Sequence, residues 1–336
     1  MNAWPSHLQA HWYAVALSRE VRCAPVARTL LDRPLVLARL EEGVIAAFED
    51  RCPHRQAPLS AGRVVDGRLQ CPYHGWRFDR AGHLCAIPGL REGEAPPAVS
   101  ARRLAAQEHD GIVWVRPQAD AGETLPAIAT AQLSEHRRFL WSTRWDAHVL
   151  DAIENVLDGT HTHYVHSGLV RDAASRKRVI ARLSPYAGGF EVDYSGTPAQ
   201  SGLIYRLFES EREREVARFS VAASVQFEYA YRNGANARIS LHFAPESAAS
   251  TRLHVAFHIH GRWAPAWAVR AFVWPFLRRV SMQDARMLRL QSRNRARFGD
   301  RRDVIGPLDI VRPWLDAWYR DGEALPMESK VFEFDL

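Results

Sequence analysis

Short apolar runs separated by turn residues fill the first third of the chain. Leu35-Val-Leu-Ala-Arg-Leu and Val44-Ile-Ala-Ala-Phe flank Glu-Glu-Gly and read as paired strands; shorter ones fit Arg68–Gln70, Trp76–Phe78 and Ile112–Val115. The last run stops at Pro117, and the stretch to about Pro126 turns rich in Ala, Gly, Asp and Pro. That shift sets a domain boundary, giving domains 1–118 and 119–336. The period then changes. Val149, Ile153, Val156 and Leu157 fall at helical spacing within a helix expected over Ala147–Tyr164. From Val179 to His260 the pattern returns to strands. Phe219–Tyr231 and Ala237–Phe243 flank Asn233-Gly234, a hairpin turn signal, and Leu253–His260 puts His254, His258 and His260 on one face. A final long helix is expected over Val280–Phe298, and no internal repeat is visible.

Composition adds limits. The 336 residues suffice for two domains, and 47% apolar with 24% charged residues is ordinary globular usage. The first residues lack the basic and apolar regions of a signal peptide. The most apolar window, Ala264–Leu277, is interrupted by Arg270 and Pro275, is too short to span a bilayer and reads as a buried helix. A soluble cytoplasmic protein without integral membrane association is expected. The net charge of +6 is almost all arginine, because Lys177 and Lys330 are the only lysines. Those arginines are scattered and carry no aromatic stacking pattern, which argues against nucleic acid and suits attraction of an acidic protein partner.

Four cysteines in such a chain suggest metal binding or burial rather than a disulfide framework. Cys23 and Cys85 have no histidine at ligand spacing. Cys52-x-His54 and Cys71-x-x-His74, sixteen residues apart, form a four-ligand set. Zinc accepts two cysteines and two histidines, usually with like ligands paired on each loop. Here each loop carries one of each, which suits a binuclear cluster with both cysteines on one iron and both histidines on the other. Prolines 53, 58 and 72 and glycines 62, 67 and 75 suit loops that wrap closely around such a cluster.

The stretch RCPHRQAPLSAGRVVDGRLQCPYHGWRFD, Arg51–Asp79, resembles the Rieske domain of the Rieske non-haem iron oxygenases, and Gly111–Pro117 resembles that domain's closing strand. A second constellation lies in ENVLDGTHTHYVH. His161 and His166, with one carboxylate, would form the two-His-one-carboxylate triad of non-haem Fe(II) sites; His163 competes as a ligand. Asn155-x-x-Asp158-x-x-His161-x4-His166 is similar to the catalytic motif of the vanillate and dicamba demethylase branch. The resemblance implies that Asp158 orients His161 and bridges it to His74 of a neighbouring subunit in a homotrimer. It makes Asn155 a polar support and, through SMQDARMLRLQ, assigns the third ligand to Asp284. Ser281-x-x-Asp284 also reads as a helix cap.

The implied fold is α+β: an N-terminal all-β Rieske [2Fe-2S] domain, then a helix-grip (Bet v1/START-like) catalytic domain with a twisted antiparallel sheet. The implied cofactors are the Rieske cluster and mononuclear Fe(II), with O2 as co-substrate. No Gly-x-Gly-x-x-Gly follows a strand, so NAD(P)H acts through a separate ferredoxin and/or flavin reductase. The implied reaction is mono-oxygenation, either hydroxylation or O/N-demethylation, of a small aromatic or cyclic substrate. His258, His260, Trp267, Phe272 and Trp274 are open candidates for the pocket wall. Ring cis-dihydroxylation, an electron carrier with a non-catalytic binding domain, and a zinc-stabilised binding module are the competing readings.

Overall fold

The computed structural model describes residues 4–118, 124–125, 137–171, 176–195, 212–221, 223–260, 266–299, 303–322 and 328–336. Cα packing divides the chain into two compact units, residues 1–130 with 244–248, and residues 131–243 with 249–336. The expected boundary at 118/119 borders residues outside those described.

Among the described residues the first unit holds ten strands: β1 (Tyr13–Leu17), β2 (Val26–Leu30), β3 (Arg33–Arg39), β4 (Ile45–Glu49), β5 (Arg63–Val65), β6 (Arg68–Gln70), β7 (Arg77–Phe78), β8 (Leu84–Ala86), β9 (Arg103–His109) and β10 (Ile112–Arg116). They form a six-stranded sheet, β1-β10-β9-β4-β3-β2, and a four-stranded one, β5-β6-β7-β8. β3 and β4 pair antiparallel as their sequences suggest. Phe48, Leu59, Leu69 and Phe78 make a core that also includes Cys52 and Cys71, each at most 3% exposed. The smaller sheet is therefore a platform for the two cysteine loops.

The second unit is built on one eight-stranded sheet. Its strands are β11 (Arg137–Trp145), β12 (Arg178–Tyr186), β13 (Gly189–Ser195), β14 (Arg212–Ser220), β15 (Ser224–Tyr231), β16 (Asn236–Ser247), β17 (Ser250–His260) and β18 (Lys330–Asp335). The order is β11-β17-β16-β15-β14-β13-β12-β18, and the pairs from β11·β17 to β12·β18 with described registers are antiparallel. The Asn233-Gly234 turn joins β15 to β16, with Gly234 at φ 78 and Asn233 Oδ1 accepting from Ala235 N–H. Phe219–Tyr231 is not one strand but the end of β14 and all of β15. Ala223, at φ 48, turns the chain between them.

Helix α1 (Val149–Leu157) buries Val149, Leu150, Ala152, Ile153 and Leu157, and His148 Nδ1 accepts the Leu150 N–H at its start. The expected helix to Tyr164 is interrupted. Asp158 is extended at φ −78 and ψ 119, and helicity resumes only in α2 (Thr162–Val165). The cause is the Asp158 carboxylate, which offers the following amides an alternative to helix bonding. Helix α3 (Trp274–Phe298) is longer than expected, and Trp274 meets Trp141 of β11 edge-on at 4.7 Å. The described part of the apolar window, 266–277, is helical and only partly buried: Val269 and Phe276 face inward, but Trp267 is 68% and Phe272 48% exposed. Helix α4 (Arg312–Asp321) adds Trp314 and Trp318 to the core beside Phe190 and Phe219. Among the described residues no helix is long and apolar enough to cross a membrane.

Candidate metal centres

The two cysteine loops share one backbone design. Cys52 N–H donates to Ala57 O at 2.8 Å, and Gln56 N–H returns to Cys52 O at 2.9 Å. In the second loop Cys71 N–H donates to Trp76 O at 2.8 Å, and Gly75 N–H returns to Cys71 O at 3.2 Å. Both turns need a left-handed residue at the fifth position, filled by Gln56 (φ 61) and Gly75 (φ 72). A side chain at 75 would also meet Pro88 Cγ at 2.8 Å, and one at 62 would fall 2.0 Å from Gln70 O. The glycines thus allow the loops to close on each other.

The side chains sort by depth. Cys52 and Cys71 are buried free thiols, whereas His54 is half-buried and His74 exposed. The histidine rings lie 4.6 Å apart, and Trp76 stacks on His54 at 4.3 Å with the planes 2° from parallel. Burial, with Cys71 alongside, pushes the unliganded Cys52 thiol up to about 11. Burial and then the neighbouring His74 hold His54 below its ordinary value, so its imidazole stays neutral. His54 Nδ1 is buried without a hydrogen-bond partner. Two inner thiols and two outer imidazoles, with His54 Nδ1 unsatisfied, fit a [2Fe-2S] cluster with distinct ends.

In the second unit the break at Asp158 aims the histidines. Asp158 Oδ1 accepts from Thr160 N–H and Oγ1–H, both at 2.7 Å, and Oδ2 accepts from His161 N–H at 3.2 Å. His161 O then receives Val165 N–H at 2.9 Å, which fixes the turn leading to His166. Asp284 arrives from α3. Its Oδ1 lies 3.0 Å from His166 Nε2 and 3.4 Å from His161 Nε2, and the two Nε2 atoms are 3.3 Å apart. Cis ligands on bonds of about 2.1 Å stand about 3.0 Å apart, so this near-equilateral triangle fits one face of an octahedral ion. Asp284 Oδ1 is buried without a well-aligned hydrogen bond, an orphaned acceptor facing two imidazoles. His163 is buried and stands outside this triad of donor atoms.

Each histidine also has a polar neighbour behind it, hydrogen-bonded at His166 and at ion-pair distance only at His161. His161 Nδ1 is 3.5 Å from Asp158 Oδ2, and His166 Nδ1 is 2.9 Å from Gln283 Oε1. Such outer contacts fix which nitrogen faces a metal. Burial alone would lower the His161 pKa, but Asp158 and Asp284 outweigh it and push it up to about 9 in the metal-free protein. Burial likewise opposes ionisation of both acids, yet His161, with His166 at Asp284, holds each below the usual carboxylate range. Asn155 Oδ1 is buried nearby without a partner.

The triad opens into a cavity of about 200 Å³. Trp141, Trp145, Phe227, Tyr229, Leu253 and Val255 supply much of its wall, with Arg171 and Glu215 among its charged groups. His258, His260, Trp267, Phe272 and Trp274 are not in this wall. Sequence reasoning missed Gln283 and Arg171 as site residues. Gln283 could have been found as the neighbour of Asp284, whereas nothing local marks Arg171.

A cysteine–histidine cluster cradle and a two-His-one-carboxylate triad in one chain define a Rieske non-haem iron protein. Sequence comparison matches residues 11–103 to the Rieske [2Fe-2S] domain and residues 145–310 to the vanillate O-demethylase oxygenase C-terminal domain. The oxygenase component of dicamba O-demethylase from Stenotrophomonas maltophilia is 38% identical over 46% of each chain. Methylxanthine N1-demethylase NdmA from Pseudomonas putida is 28% identical over 77% of this chain and 70% of its own. The first of these matches thus spans about half the relative's length. Dicamba monooxygenase bound to dicamba superposes with a TM-score of 0.75 at 25% identity, covering 95% of this chain and 98% of its own. NdmA with caffeine superposes at 0.78 and 23% identity over 93% and 90%, a likeness of fold. The chain belongs to the Rieske non-haem iron oxygenases of the vanillate O-demethylase type. Its cofactors are a Rieske [2Fe-2S] cluster and a mononuclear iron.

Proposed function

We propose that this protein is a terminal oxygenase component that mono-oxygenates a small aromatic or cyclic substrate, by hydroxylation or O/N-demethylation. The observation that carries the reading is the donor triangle of His161, His166 and Asp284 in the wall of a largely apolar cavity. Relatives named as O- and N-demethylases support the demethylating outcome. When bound, the iron supplies dioxygen activation and the cluster relays electrons that NAD(P)H provides through a separate ferredoxin and/or flavin reductase.

The chain's own residues have assignable tasks. Cys52 and Cys71 hold the inner end of the cluster, and His54 and His74 the outer end. His161, His166 and Asp284 would hold the mononuclear ion beside the cavity. Asp158 fixes His161, and its side chain, 28% exposed, keeps an edge for His74 of a neighbouring subunit. The reading carries with it a homotrimer, domains 1–118 and 119–336, and the cytoplasm, where reduced nicotinamide is available to the reductase. Asn155, whose buried Oδ1 is unsatisfied among the described residues, is a polar residue of the cavity wall beside this turn. The aromatic wall excludes water from the reacting group.

The test is metal and sulfide content beside the visible spectrum. About three iron and two sulfide per chain are expected, falling to two iron in His161→Ala and His166→Ala with the visible bands retained. Iron unchanged in both variants would sink the reading.

A further inference from the structure

We infer that Arg171 is the anion-recognition residue of the cavity, and that the substrate is a small aromatic or cyclic acid bearing one carboxylate. This rests on the oxygenase reading for the identity of the cavity as the substrate site.

Arg171 lies in the loop after His166. Gly168 N–H donates to Arg171 O at 2.9 Å and Val170 N–H to His166 O at 3.0 Å, so its backbone is tied to the proposed iron ligand. The residue is only 7% exposed and lines the cavity. Its Nη1 is buried and has no hydrogen-bond partner among the described residues. Nη1 stands 3.6 Å from where a side chain at residue 159 would begin, so Gly159 leaves that side of the guanidinium open.

The neighbouring acid does not satisfy it. Glu215 is bound by Arg212 at 2.6 Å, and these two side chains are only 10% and 5% exposed. The other acids of the wall, Asp158 and Asp284, face His161 and His166. Among the described residues Arg171 is left as a buried cation without a paired anion. Burial holds its pKa below the ordinary arginine value, with Glu215 opposing and Arg212 assisting, yet a guanidinium remains charged. A buried charge with an unmade hydrogen bond is costly and persists where a ligand completes it. A carboxylate does so through a charge-assisted bond, while Trp141, Trp145 and Phe227 take the apolar ring.

The experiment is anaerobic equilibrium binding of 4-methoxybenzoate and of its neutral methyl ester to the iron-loaded chain, which needs no turnover. The acid is expected to bind about thirtyfold more tightly than the ester. Arg171→Gln should remove that advantage and leave ester affinity within about threefold, while Arg171→Lys keeps part of it. Retention of the third, mononuclear iron reports whether the second unit of each variant folds; if Arg171→Gln does not, the wild-type acid-to-ester ratio decides. Equal affinity for acid and ester, no binding of the acid at millimolar concentration, or acid binding unchanged in Arg171→Gln would each overturn the inference. Failure of the oxygenase reading appears separately, as absence of the third iron.

Discussion

Gln283 Oε1 lies 2.9 Å from His166 Nδ1, while the adjacent Asp284 puts its Oδ1 3.0 Å from Nε2 of the same ring. Two successive residues of one helix thus approach both nitrogens of an imidazole. An acceptor at Nδ1 keeps the proton there and leaves Nε2 as a lone pair for a metal. Gln283→Leu should therefore weaken mononuclear iron binding about ten- to a hundredfold and leave the Rieske bands unchanged. Anaerobic Fe(II) titration of the two proteins checks it.

In the metal-free protein His161 holds its proton up to about pH 9, above its ordinary value of 6.5. The folded pKa is raised, so this proton stabilises the metal-free fold fully below pH 6.5, and the stabilisation is lost as pH rises through 9. Fe(II) must displace the same proton. Its affinity should rise by about tenfold per pH unit across that window and level off above it. A flat affinity from pH 7 to 9 would contradict the assignment.

Gly75 is left-handed and closely packed against Pro88. Gly75→Ala should lower the stability of the Rieske domain by about 1–2 kcal/mol through backbone strain, with further loss from the Pro88 contact. Thermal loss of the visible bands reads this directly. Gln56→Gly, at the matching position of the other loop, is expected to cause no comparable loss.

Arg312 clamps α1 from outside. It reaches Asp151 at 3.2 Å, Glu154 at 2.7 Å and Asp316 at 2.8 Å, while Arg295 contacts Asp151 as well. Arg295 still holds Asp151 when Arg312 is removed, but the part-buried Glu154 loses its ion pair and is left as an unpaired carboxylate. Arg312→Ala should destabilise the second unit by about 3 kcal/mol, and chemical denaturation measures it. The double variant Arg312→Ala/Glu154→Gln should recover part of the loss.

The cluster loops were legible because each pair of ligands sits within one hexapeptide turn, where spacing and local geometry are nearly the same thing. Cys52, His54, Cys71 and His74 needed no distant information. The asparagine–glycine hairpin and the strands of the first unit were readable for the same reason: their signals are local. Helix α1 was readable as a helix but not in its length. Its apolar spacing persists past Leu157, while the Asp158 carboxylate captures the amides of Thr160 and His161 and ends it.

By itself the sequence determined the ligand types, the order of the two centres and the periods of helix and strand, all set by neighbours in the chain. Only the tertiary structure decided that Asp284 closes a triangle with His161 and His166, that Gln283 backs one of its corners, and that Trp141 and Trp145 wall the cavity. It also decided that Arg212 claims Glu215 and leaves Arg171 unpaired among the described residues. Burial and charge pairing depend on which distant segments meet, and an arginine has the same letter whether it is solvated or enclosed.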